Sequence, residues 1–88
     1  MIDDLIKQIQ ELQDSMKSSI PILEKEIDSI IQNKEKSSNE IEKILDILLD
    51  YLHIGLGKEQ FVKLNSYYNT FCPEYSAEYN EFYKKIID

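Results

Sequence analysis

The chain has 88 residues, ten lysines, no arginine, 17 acids and a formal net charge of −7. That length allows one domain with a thin core, about 64% of the unfolded surface being buried, and leaves no room for a nucleotide-binding or multi-layer α/β fold. The acidic balance argues against direct nucleic-acid binding, which needs clustered cations. A single cysteine excludes an intrachain disulfide and fits a reducing compartment.

Only two glycines and two prolines punctuate the chain, and the apolar spacing is helical throughout. Met1-Ile2-Asp3-Asp4 has no signal-peptide character, and no stretch is apolar for the ~20 residues a membrane span needs. A cytoplasmic protein is therefore expected. Ile2, Leu5, Ile6, Ile9, Leu12 and Met16 recur at steps of three and four, and the spacing also suits a short coiled-coil seam. Ile20, Leu23, Ile27, Ile30 and Ile31 continue the rhythm. Between them Ser18, Ser19 and Pro21 predict a kink or break, because proline lacks the N–H and clashes with the preceding turn. Residues 33–38 (NKEKSS) read as a loop, and Ser37 with Glu40 has the spacing of a capping box. A third stripe is Ile41, Ile44, Leu45, Leu48, Tyr51 and Leu52. Its wide apolar arc predicts a central helix, ended by Gly55 and Gly57. Phe61, Leu64, Tyr68, Phe71 and Cys72 form a fourth stripe that Pro73 should stop. Tyr75, Tyr79, Phe82, Tyr83 and Ile86 form the last.

The expected fold is all-α, a small antiparallel bundle with helices at 2–17, 21–33, 38–54, 58–71 and 74–87. If the kink at Pro21 is mild, the first two fuse into one arm about 48 Å long, whose tip would need a second copy to cover it. The single domain divides by composition. All nine aromatics lie between Tyr51 and Tyr83, and residues 1–50 carry twelve acids against six lysines. An acidic, aliphatic hairpin (1–54) thus precedes an aromatic-rich helical pair (58–88). In length and helix plan the chain resembles the bacteriocin immunity proteins and the small helical inhibitors of phages and mobile elements. The resemblance implies a cytosolic inhibitor and transfers no residue.

Few residues point to chemistry. Asp46, Asp50 and His53, with Glu42 a turn earlier, share one helix face. Asp50-x-x-His53 has the carboxylate-x-x-His spacing of bundle metal sites, but those need further ligands, so a solvated face is expected and no metal or cofactor. Gly55-Leu56-Gly57-Lys58 lacks the spacing of a phosphate loop and reads as a helix cap. Cys72 beside Pro73 reads as a packed small hydrophobe. No arrangement suggests catalysis. Tyr67, Tyr75, Tyr79 and Tyr83, with Glu74 and Glu78, are the candidate contact residues, because tyrosine is favoured at interface hot spots. The expectation is a non-catalytic acidic helical module that inhibits or neutralises a partner protein with a basic surface. The alternative is an assembly subunit of a homo-oligomer or larger complex.

Overall fold

The computed structural model describes residues 2–87, with Ile9 as backbone only. Four helices follow one another: α1 (Ile2–Gln32), α2 (Ser38–Leu52), α3 (Lys58–Asn69) and α4 (Pro73–Ile87). The all-α bundle is as expected, with four helices. Residues 2–17 and 21–33 are joined in one 31-residue helix that runs through Pro21, so of the two outcomes expected at 18–21 the fused arm forms and the break does not. Pro21 lies on the exposed side of α1. The Lys17 carbonyl that loses its helical N–H partner there can turn to water. Ser18 and Ser19 donate their hydroxyls back to the carbonyls of Asp14 and Ser15, at 2.9 and 3.1 Å. Local bonds of this kind are accommodated within a helix and do not end it.

The helix ends follow from backbone chemistry. α1 closes in a Schellman motif: Glu35 N–H donates to Ile30 O, Lys34 N–H donates to Ile31 O, and Lys34 takes a φ of 54°. α2 closes the same way, with Leu56 N–H on Tyr51 O, Gly55 N–H on Leu52 O and Gly55 at φ 77°. It therefore ends at Leu52, two residues before the expected limit. The Ser37 hydroxyl accepts from Glu40 N–H at the start of α2, one half of the capping box. α3 ends at Asn69, not 71, because the N–H groups of Thr70, Phe71 and Cys72 turn tightly onto Tyr67 O and Tyr68 O. Pro73 then opens α4, where its missing N–H costs nothing.

Cross-helix contacts set the directions. Glu42 accepts from the Tyr68 hydroxyl, and Ser38 lies opposite Cys72, so α2 and α3 are antiparallel. Asn65 pairs with Ser76 and Phe61 stacks on Tyr83, so α3 and α4 are antiparallel. The Lys63–Asp28 ion pair and the Tyr67 hydroxyl on Glu35 O place α3 alongside α1 in the same direction. The result is an up-down-up-down bundle around Ile27, Ile41, Leu45, Leu48, Phe61, Leu64 and Tyr68. The hub is α3, which packs on all three other helices, and not α2 as its apolar width suggested. The buried face of α3 includes Gln60 and Asn65, so its apolar stripe understates how much of it is covered. Asn65 Nδ2 donates to Ser76 O at 3.1 Å and Ser76 Oγ donates to Asn65 at 2.9 Å. These bonds make the polar burial affordable.

The molecule is longer than a compact chain of its size. Its radius of gyration is 14.4 Å, against about 12 Å for 88 compact residues. Its surface is 6341 Å², against about 5,400 Å². The excess comes from α1, which at 1.5 Å per residue is about 46 Å long and matches the 49 Å long axis of the protein. Core contact begins at Met16 and Ile20 and is complete at Leu23. Before it, Ile2, Leu5 and Leu12 are 75, 59 and 62% exposed.

The α2–α3 turn is the tightest joint. Gly57 is buried at φ 80°, and a Cβ there would stand 3.0 Å from Leu48 Cδ2 and 3.4 Å from Tyr51 Cβ. Gly57→Ala is expected to destabilise the fold by about 1–3 kcal/mol through left-handed strain and displacement of a core leucine. Gly55→Ala, with the same backbone strain and open space around it, is expected to cost less. Urea unfolding of the two variants checks the order.

Candidate functional site

Two features far apart in the sequence meet on one face. The acidic row of α2 and the aromatic stripe of α4 lie side by side because both helices pack on α3 and on each other. The Tyr79 hydroxyl donates to Asp46 Oδ1 at 2.8 Å. One turn further on, Leu49, Phe82 and Ile86 line a shallow open groove, with Asp50, His53 and Lys85 at its edge. Phe82 is 50% exposed, and its ring stands edge-on to Tyr79, the centroids 6.3 Å apart. A half-exposed ring held against a buried one is a preorganised apolar contact, since little side-chain freedom is left to lose on binding.

The acidic row is therefore more than a solvated face. Asp46, Asp50 and His53 are exposed, as expected, but Asp46 is tied to a core tyrosine and Asp50 and His53 border apolar surface. Periodicity within α2 carried no sign of this, because the apolar side of the groove comes from α4. Phe82 and Ile86 belong to the apolar stripe of α4, and Leu49 joins them only when α2 and α4 are set side by side.

The candidate tyrosines do not share one open surface. Tyr79 is buried among the core residues. Tyr67 is half-buried, donates its hydroxyl to Glu35 O at 2.7 Å and meets Phe71 edge-on. Tyr83 is half-buried and stacks on Phe61 at 5.1 Å, 9° from parallel. Only Tyr75, 53% exposed, stands out as a free ring, flanked by the exposed Glu74 and Glu78. Tyr75, Glu78 and Phe82 follow at steps of three and four and so share one side of α4. Buried hydroxyls need partners, and Asp46 and Glu35 O supply them to Tyr79 and Tyr67, as Glu42 does to Tyr68. Tyr83 turns inward by stacking on Phe61.

Burial, and next the bond to Glu42, pushes the Tyr68 hydroxyl up to about 12. Burial and the bond to Asp46 push Tyr79 up as well. The bond to Asp28 raises Lys63. Each shift moves its group away from neutral pH, where general acid–base catalysis operates. Among the described residues no three His, Cys, Asp or Glu side chains are grouped to hold a metal ion. Cys72 is half-buried against the core, with its Sγ 4.0 Å from Ser38 Oγ. No described helix is long and apolar enough to cross a membrane. No family model matches the chain, and no curated protein or solved structure shows significant similarity to it.

Proposed function

We propose that this protein is a non-catalytic binding module, of inhibitor or immunity type, that takes a basic amphipathic segment of a partner protein on its α2–α4 face. The observation that carries this is the groove itself. Leu49, Phe82 and Ile86 offer apolar surface, and Asp46 and Asp50 outweigh the one Lys85 in the lining, with Glu78 a turn away on the Phe82 side of α4. A helix with one apolar face and lysines or arginines beside it complements that arrangement in both respects. The net charge of −7 adds long-range steering toward such a partner. A cytoplasmic setting belongs to the same proposal, supported by the lone free Cys72. A second reading, as an assembly subunit, is favoured by the exposed apolar side of the α1 arm.

The test is affinity capture from the native host with parallel baits. Proteins held by the unmodified chain are expected to be lost from Phe82→Ala and Asp50→Lys baits. With the captured protein purified, Phe82→Ala is expected to weaken binding about 30-fold, as loss of an aromatic anchor does. Asp50→Lys is expected to slow association and flatten its salt dependence. Capture that ignores both substitutions and added salt would remove the α2–α4 face from consideration.

A further inference from the structure

The apolar side of α1 is continuous, but its surroundings change along the helix. Ile2, Ile9, Met16, Leu23 and Ile30 follow at steps of seven, and Leu5 and Leu12 fill the intervening positions of the first two heptads. At 100° per residue these residues, with Ile6, Ile20 and Ile27, fall within an arc of about 120°. From Leu23 onward that side is buried in the bundle, whereas Ile2, Leu5, Ile6 and Leu12 are exposed. The arm therefore extends the core-facing side of α1 past the end of its own bundle.

We propose that a second copy of this chain covers the arm, the two arms pairing antiparallel. Charge placement favours a copy over other occupants. Two chains of net charge −7 repel over most of their surfaces. Yet the positions flanking the seam are Ile6, Gln8, Gln13 and Ser15, none of them charged. All four acids of the arm, Asp3, Asp4, Glu11 and Asp14, lie on its other side. A basic partner would find no carboxylate beside this seam to pair with. A lipid surface would meet a helix whose polar side is net acidic, the reverse of membrane-binding helices.

The direction follows from the fold. Isoleucine at the first heptad position with leucine at the fourth suits a parallel two-stranded coil in isolation. Here a parallel partner would have to continue into the space where α3 packs on the same side of α1. An antiparallel partner avoids that clash, since its own bundle lies beyond the opposite end. With Leu5 level with Met16 of the copy, Ile2 at the tip of the arm reaches the copy's bundle end. There Ile20 and Leu56 line an open groove bordered by Lys17, Lys58 and Glu59. Apolar tip and apolar groove are thus brought together twice by one two-fold axis. This surface is separate from the α2–α4 groove and stands whether or not that groove takes a partner.

Sedimentation equilibrium of the full chain tests it. A dimer is expected at about 100 µM, with dissociation in the micromolar range because the seam is only two heptads long. Leu5→Lys combined with Leu12→Lys is expected to weaken the dimer at least about 100-fold by placing four charges in the seam. Urea unfolding of the dilute protein should keep its midpoint, since both side chains lie outside the bundle. For direction, Leu5→Cys and Met16→Cys chains are made in a Cys72→Ser background. Mixed and oxidised, they are expected to form a disulfide between the two kinds of chain, and neither kind alone should cross-link. A monomer at that concentration overturns the proposal, as does an arm that binds lipid vesicles instead. Self-cross-linking of each single variant overturns the antiparallel arrangement.

Discussion

Phe61→Ala is expected to destabilise the protein by about 3–5 kcal/mol, the range for removing a fully buried aromatic ring. Phe61 is 1% exposed in the first turn of α3, the helix that touches all the others, and its ring stacks on Tyr83. The loss combines the transfer of the ring, a cavity that four helices cannot close together, and the stacking contact of about 0.5–1.5 kcal/mol. A domain of 88 residues holds about 4–13 kcal/mol in total. The variant should therefore be largely unfolded well below the parent's urea midpoint. Phe82→Ala is the control. It removes the same ring from a half-exposed position and should cost about 1 kcal/mol or less, leaving it usable as a binding probe. Circular dichroism through a urea series separates the two.

Alkali is expected to unfold the protein through Tyr68 and Tyr79. Both hydroxyls hold their protons more tightly in the folded chain than the ordinary tyrosine value of 10, Tyr68 up to about 12. Between those values the folded state binds protons that the unfolded state has released. Stability is therefore intact below about pH 10 and falls as pH rises through the window. Each unit crossed costs about 1.4 kcal/mol per tyrosine. The protein has six tyrosines, and an ultraviolet titration should show two of them ionising late and together with the loss of helix. Tyr68→Phe with Tyr79→Phe should flatten the dependence. Lys63, raised by Asp28, acts in the same direction from an exposed position. Stability unchanged up to pH 12 would show that the two hydroxyls are not held as described.

The fold was largely legible. Three of the five expected stripes became core and the last buries only Tyr79 fully, while the cap at Ser37 opens α2 where a capping box is read and Gly55 closes it where glycine is read as a stop. Pro21 left kink, break and fused arm open because its penalty is local, whereas the decision to continue a helix is collective. With the ring toward water and Leu23, Ile27 and Ile30 anchored on the core, the helix keeps its course. The candidate site was legible in halves. The row at Asp46, Asp50 and His53 and the rings of α4 were both visible, but nothing in either stretch says they are neighbours. Tyr79 also could not be told from Tyr75. They stand one turn apart on one helix, and it is Asp46 of α2 that takes the Tyr79 hydroxyl while Tyr75 stays 53% exposed.

Periodic apolar spacing and scarce glycine and proline were enough to make this chain helical, because helix formation depends on contacts three and four residues apart. The distribution of its acids was likewise readable at once. Which helix became the hub, which tyrosines turned inward, and where α1 outran its partners depended on contacts between helices, from residues 11 positions apart upward. Such contacts are settled by how four cylinders of unequal length share one small core. A 31-residue helix beside helices of 15, 12 and 15 residues must leave part of its apolar side uncovered, and no local pattern within α1 marks where that exposure begins.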